Sequence, residues 1–230
     1  MASATPAFIT SNPMQLQPIQ QHIESAIDEL MGTLPDPATL SAQQRRGIIA
    51  RYSAVLEGNF IYWMTATLLS VKSDESRSIV IENLREEVRD CHPGMLRRFA
   101  LAAEAAPTDH DFKAVYEMLT SVRLFLGRLG GVQNLVTMGF FEGFIQRFMA
   151  YLADLAHRQG SIDMEYTDVH GICDITHTQE LFRALTAEMV LNPPQPGTDL
   201  LEGVELLRSL MQSVIHFDVA PRTAARIVAN

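Results

Sequence analysis

The chain has 230 residues, of which 47% are hydrophobic and 20% charged, with a formal net charge of −9. That is enough apolar material for one substantial core or two small ones, and the acidic balance without any Lys/Arg cluster argues against a nucleic-acid partner. No apolar run reaches the roughly 18 residues of a membrane span, and the polar, Pro-containing start lacks a signal-peptide pattern.

Strand signals are scarce, and no Asn-Gly or Asp-Gly hairpin turn occurs. Helical signals run throughout. After a segment over 1–13, expected to be flexible, a first amphipathic helix is expected over about 15–34, ended by Pro35 and Pro37. Ser41 is a candidate N-cap for a long second helix to about Val71. Ser73 or Asp74 opens a third, broken near Cys91-His92-Pro93 and resuming to about Ala105. Asp109 caps a fourth that stops at Gly130-Gly131, and a fifth follows to about Arg158. Ser161 or Asp163 caps a sixth, to about Leu191. The Pro-rich break after Asn192 leads to a seventh over about 198–217, with a tail at 218–230. About seven helices with short connections, in one domain over 14–217, imply an all-α, up-and-down bundle. Cys91 and Cys173 fit neither a disulfide framework nor a zinc motif, and read as two buried, reduced thiols of a cytoplasmic protein.

The chemistry concentrates in the sixth helix. His170, Asp174 and His177 stand at i, i+4 and i+7, within roughly 60° of arc at about 100° per residue. Tyr166 and Leu181 share that face, so it should turn towards the core. Two imidazoles and a carboxylate in such a stripe are costly to bury unless paired or bound to metal. The preceding helix carries Glu142 between aromatic residues, in Phe140-Phe141-Glu142-Gly143-Phe144. The third helix carries Glu86 and Glu87, then His92. On one unbroken helix Glu87 and His92 would diverge by about 140°. Pro93 disfavours α geometry at His92, which frees that residue from helical phase with the glutamates. Glu86 or Glu87, His92, Glu142, His170, Asp174 and His177 together form a mixed oxygen and nitrogen donor set, suited to iron or manganese.

With these residues the sequence resembles the heme-oxygenase-like diiron oxidases and oxygenases. The resemblance rests on His170-x₃-Asp174-x₂-His177, on the single Glu142 of the preceding helix, and on Asn83-Leu84-Arg85-Glu86-Glu87 followed by His92. It implies a heme-oxygenase-like bundle holding two Fe(II) ions that activate O₂ against a small organic substrate. An amino acid oxidised or fragmented in a natural-product pathway is the substrate expected, with a possible external electron donor and a homodimeric assembly. The family pattern favours Glu87 as ligand while leaving Glu86 open. It puts Glu142 and His170 on one iron and His92 and His177 on the other, with Glu87 and Asp174 completing the pair. It also places Glu57 where some members recruit a further carboxylate once O₂ binds. Trp63, Phe141, Phe144 and Tyr166 are candidates for an aromatic substrate pocket, and Arg85, Arg89 or Arg183 for pairing a substrate carboxylate. Rival readings are a heme protein with His22 as proximal ligand, a cofactor-free enzyme on the same scaffold, and a non-catalytic interaction module.

Overall fold

The computed structural model describes residues 16–217, and the expected end segments at 1–13 and 218–230 lie outside them. Among the described residues there are nine α-helices and no strand. They are α1 (Leu16–Gly32), α2 (Ala42–Leu56), α3 (Asn59–Ser70), α4 (Asp74–Arg89), α5 (His92–Ala102), α6 (Asp109–Leu126), α7 (Gly131–Arg158), α8 (Glu165–Leu191) and α9 (Glu202–His216).

Two of the nine arise because expected rods are broken. The expected helix over 41–71 starts as read, with a reciprocal capping box between Ser41 and Gln44. It is interrupted, however, by Glu57 and Gly58. Gly58 has φ +79°, a left-handed conformation that glycine adopts without a Cβ penalty. The break at Cys91-His92-Pro93 falls where expected, with Cys91 itself left-handed (φ 56°) and Pro93 in the first turn of α5. Two caps differ as well. Thr108, rather than Asp109, caps α6, because Asp111 accepts hydrogen bonds from the Thr108 N–H and hydroxyl. Ser161 and Asp163 form the turn ahead of α8, which begins at Glu165. Cys91 is exposed and Cys173 only half-buried, which corrects the reading of two buried thiols.

The long helix α7 is the axis of the bundle. It is buried nearly all round and packs along α8, with α1, α2, α3 and α9 around it. Its apolar positions supply a row of stacked rings, Phe140, Phe144 and Phe148, which meets Tyr52 of α2. On the other side of α8 lies α4. These contacts set α4, α7 and α8 side by side, the three helices that carry the expected carboxylates and the His-Asp-His stripe.

A buried carboxylate locks that arrangement. Glu188, fully buried on α8, accepts hydrogen bonds from the Lys72 and Ser73 N–H groups at 2.9 Å and from the Asn192 amide at 3.2 Å. It thereby satisfies N–H groups at the entry to α4 that helix geometry leaves unpaired. A Cβ at Gly131 would stand 2.8 Å from the Ser70 carbonyl oxygen and 3.0 Å from Glu188 Oε1, so the close approach of α7 at this corner requires glycine. Glu188→Ala would leave buried donors unsatisfied. We predict a loss of about 2–4 kcal/mol of stability in urea unfolding; a loss under about 0.5 kcal/mol would show that the staple contributes little.

Candidate metal centre

Helix α8 is continuous through the His-Asp-His stripe, and the stripe faces inward. His170, Asp174 and His177 are 5%, 1% and 4% exposed, and Glu142, Glu87 and His92 are 2%, 6% and 4% exposed. The interior thus holds several carboxylates and imidazoles at close quarters, and they fall into two groups.

The first group is Glu87, His92 and His170, whose ligand atoms all lie within 4.8 Å of one another. His92 Nδ1 is 2.7 Å from Glu87 Oε1, and His170 Nε2 is 4.0 Å from the same oxygen. The two imidazole rings meet edge to face at 4.5 Å. The break at Cys91 makes this possible, since it lets α5 bring His92 back onto the carboxylate of the preceding helix. His170 Nδ1 donates to the Tyr166 carbonyl at 2.8 Å, which fixes the tautomer and leaves the Nε2 lone pair pointing into the group.

The second group is Cys173, Asp174 and His177. His177 Nδ1 is 3.6 Å from Asp174 Oδ1, and its Nε2 is 2.8 Å from Glu86 Oε2. Glu142 stands between the groups. Its Oε2 is 3.9 Å from His177 Nδ1, and it shares a cavity of about 20 Å³ with Glu87, His92 and His170. That cavity has room for about one water-sized species. Leu56, Phe60, Leu96 and Ile145 complete much of its apolar wall.

Electrostatics show the cost of this arrangement. Burial, and then the neighbouring charge of Asp174, push the Glu142 carboxyl well above the usual range. Burial disfavours a charged His177, but Asp174, Glu142 and Glu86 outweigh it and push its pKa up to about 10. Burial likewise opposes charge on His92, while the bond to Glu87 raises it. His170 moves the other way, lowered by burial. Asp174 Oδ2, buried, has no hydrogen-bond partner among the described residues. An orphaned carboxylate oxygen among imidazole nitrogens is what a bound cation would satisfy, and the mixed donor set fits iron.

The structure brings Glu87, His92 and His170 into the first group and Asp174 and His177 into the second, with Glu142 beside both; of the adjacent glutamates, Glu87 belongs to the first group, while Glu86 Oε2 lies 2.8 Å from His177 Nε2, the ring nitrogen opposite the one that faces Asp174 and Glu142. It groups His92 with His170, not with His177 as the family pattern implied. Glu57 is not brought in. It sits at the end of α2, ion-paired to Arg97 of α5. Of the expected pocket aromatics only Tyr166 lines the cavity. Trp63 and Phe141 pack edge to face in the core, and Phe144 belongs to the stacked row. Arg85, Arg89 and Arg183 pair with surface carboxylates, and His22 is exposed. Cys173, whose Sγ donates to Asp174 Oδ1 at 3.2 Å, escaped the sequence reading, although its place beside Asp174 was the available signal.

The site therefore defines a heme-oxygenase-like helical bundle with clustered metal-ligating side chains. The comparison with known families agrees: the model for the family described as iron-containing redox enzymes matches residues 48–210, and the chain belongs to that family. No curated protein matches the chain significantly.

Behind the first group, the Tyr166 ring lies tilted against that of His170 with centroids 4.2 Å apart, and its hydroxyl lies 2.9 Å from that of the buried Tyr52. Tyr52→Phe would leave the Tyr166 hydroxyl without its partner. We predict a loss of about 1–2 kcal/mol in denaturant unfolding. An unchanged midpoint would show that the pair is not holding Tyr166 in place.

Proposed function

We propose that the protein is a non-heme diiron oxidase or oxygenase, using two Fe(II) ions and O₂ to oxidise or fragment a small organic substrate. An amino acid of a natural-product pathway is the proposed substrate class, and an external electron donor the proposed source of reducing equivalents. The observation that carries this reading is the pair of adjoining donor groups with Glu142 beside both, inside one family-matched bundle. In this assignment Glu87, His92 and His170 hold one iron, Asp174 and His177 the other, and Glu142 lies between them. Glu86, on the Nε2 side of His177, orients that ring from the face opposite Asp174.

Iron would supply the reduction of O₂ and the oxidising power. The chain's own residues have three tasks. The carboxylates of Glu87, Glu142 and Asp174 would offset three of the four positive charges of two Fe(II) ions in a buried setting. The Tyr166 carbonyl and its ring fix the orientation of His170, so that its Nε2 is presented without a search among rotamers. Leu56, Phe60, Leu96 and Ile145 limit the cavity to a small species and keep bulk water away from the metal-facing oxygens. The heme reading finds no support in the exposed His22.

No described helix is long and apolar enough to cross a membrane. A cytoplasmic homodimer is our proposal for the working form, on the general prevalence of symmetric dimers. Light scattering that gives the monomer mass across a wide concentration range would contradict it.

The ligand assignment is tested by anaerobic Fe(II) loading followed by metal analysis and O₂ uptake. Wild-type protein should retain iron and consume O₂. His170→Ala and His177→Ala should each lose at least one iron and the O₂ uptake, while the surrounding apolar packing keeps the helical fold. Glu57→Gln, outside both groups, should retain full iron. Full iron and normal O₂ uptake in His177→Ala would overturn the assignment.

A further inference from the structure

The cavity at the metal centre is about 20 Å³, too small for an organic substrate. A larger space adjoins it. Between α2 and α5 lies a cleft of about 220 Å³, lined by Ser53, Leu96, Arg97, Ala100, Leu101 and their neighbours. Leu96 lines both spaces, so one side chain forms part of the wall between the cleft and the cavity. The cleft is mainly apolar, yet it carries three polar features. Arg97 and Glu57 line it as an ion pair, with Arg97 well exposed. Ser53 lines it too, and its buried Oγ has no hydrogen-bond partner among the described residues, although the residue is only 2% exposed.

We propose that this cleft is the substrate site and that it takes an α-amino acid with an apolar side chain. Arg97 is the group that receives the carboxylate, in the forked geometry a guanidinium offers. A plain carboxylic acid would put two carboxylates on one guanidinium and strip Glu57 of its counter-ion. An α-amino acid avoids that cost, because its ammonium takes Glu57 as its carboxylate takes Arg97. The existing ion pair is thus complementary to a zwitterion, and binding exchanges one pairing for two. The side chain lies along Ala100 and Leu96, the residue that lines both spaces, so the carbon skeleton is placed beside the metal cavity.

This inference deepens the diiron reading, but its test is a binding measurement that does not depend on turnover. Full-length protein, with and without anaerobically added Fe(II), is titrated calorimetrically with leucine, methionine and phenylalanine. Two fragments of leucine are compared: 4-methylpentanoate, which lacks the ammonium, and 3-methylbutylamine, which lacks the carboxylate. At least one amino acid should bind saturably and more tightly than either fragment. Arg97→Ala should weaken that binding about tenfold or more. Glu57→Gln should weaken the amino acid while strengthening 4-methylpentanoate, a reversal that simple loss of packing would not produce. Thermal unfolding of both variants checks that the fold is intact. No binding of any of the three amino acids in either form would overturn the proposal, as would binding that survives Arg97→Ala within about twofold. Binding without iron uptake would sink the diiron reading and leave the cleft standing; iron uptake without binding would do the reverse.

Discussion

Buried negative charge is the constraint around which this molecule is organised. Glu87, Glu142 and Asp174 occupy an interior otherwise lined with leucine, isoleucine and aromatic rings. Ionised carboxylates in such a medium are expensive, and a pair or a metal must offset that cost. The imidazoles of His92, His170 and His177 are the nearest available partners. Even with them, Glu142 is driven towards its neutral form, and Asp174 Oδ2 has no partner among the described residues. A core built only for stability would place apolar side chains here. Divalent cations would offset the buried negative charge and give Asp174 Oδ2 a partner.

Holding that charge in place falls to the helices around it. The axis α7 is largely apolar on its buried surface, and Glu142 is the one ionisable side chain buried on it, beside the neutral Asn134 and Thr137. The α8 stripe is presented by an uninterrupted helix, so the spacing of His170, Asp174 and His177 is set by helical geometry alone. The α4–α5 break works in the opposite sense, since only an interruption lets Glu87 and His92 converge. Glu188, farther along α8, pins the start of α4 and so fixes the depth at which Glu86 and Glu87 enter the site. Rigid elements on three sides suit a site whose ligands must hold their positions before the metal arrives.

The sequence was most informative where local periodicity carries long-range meaning. The i, i+4, i+7 pattern marks the inward face of α8 because a straight helix leaves no freedom. Glu142 was legible because its aromatic neighbours could not be in water while it was, and His92 because proline restricts the residue before it. What was not legible depends on tertiary contact. The break at Gly58 lies in a run that reads as helix, and a single glycine within such a run does not announce that it turns left-handed. The grouping of His92 with His170 depends on how α5 leans across α8, which no spacing encodes. Glu57 and Arg97 are forty residues apart, so their ion pair and the cleft it lines emerge only when α2 and α5 are placed side by side. The aromatic pocket expected from Trp63, Phe141 and Phe144 went the other way: large rings fill the core unless something excludes them from it.

The central claim is that the two donor groups form one site for two metals. Anaerobic titration of the metal-free chain with Fe(II), read by equilibrium dialysis and by Mössbauer spectroscopy of the ⁵⁷Fe-loaded protein, tests it most directly. Saturation should come at two irons per chain, with the diamagnetic ground state of two coupled ferric ions after oxidation. Saturation at a single iron, or two irons that remain magnetically independent, would contradict it.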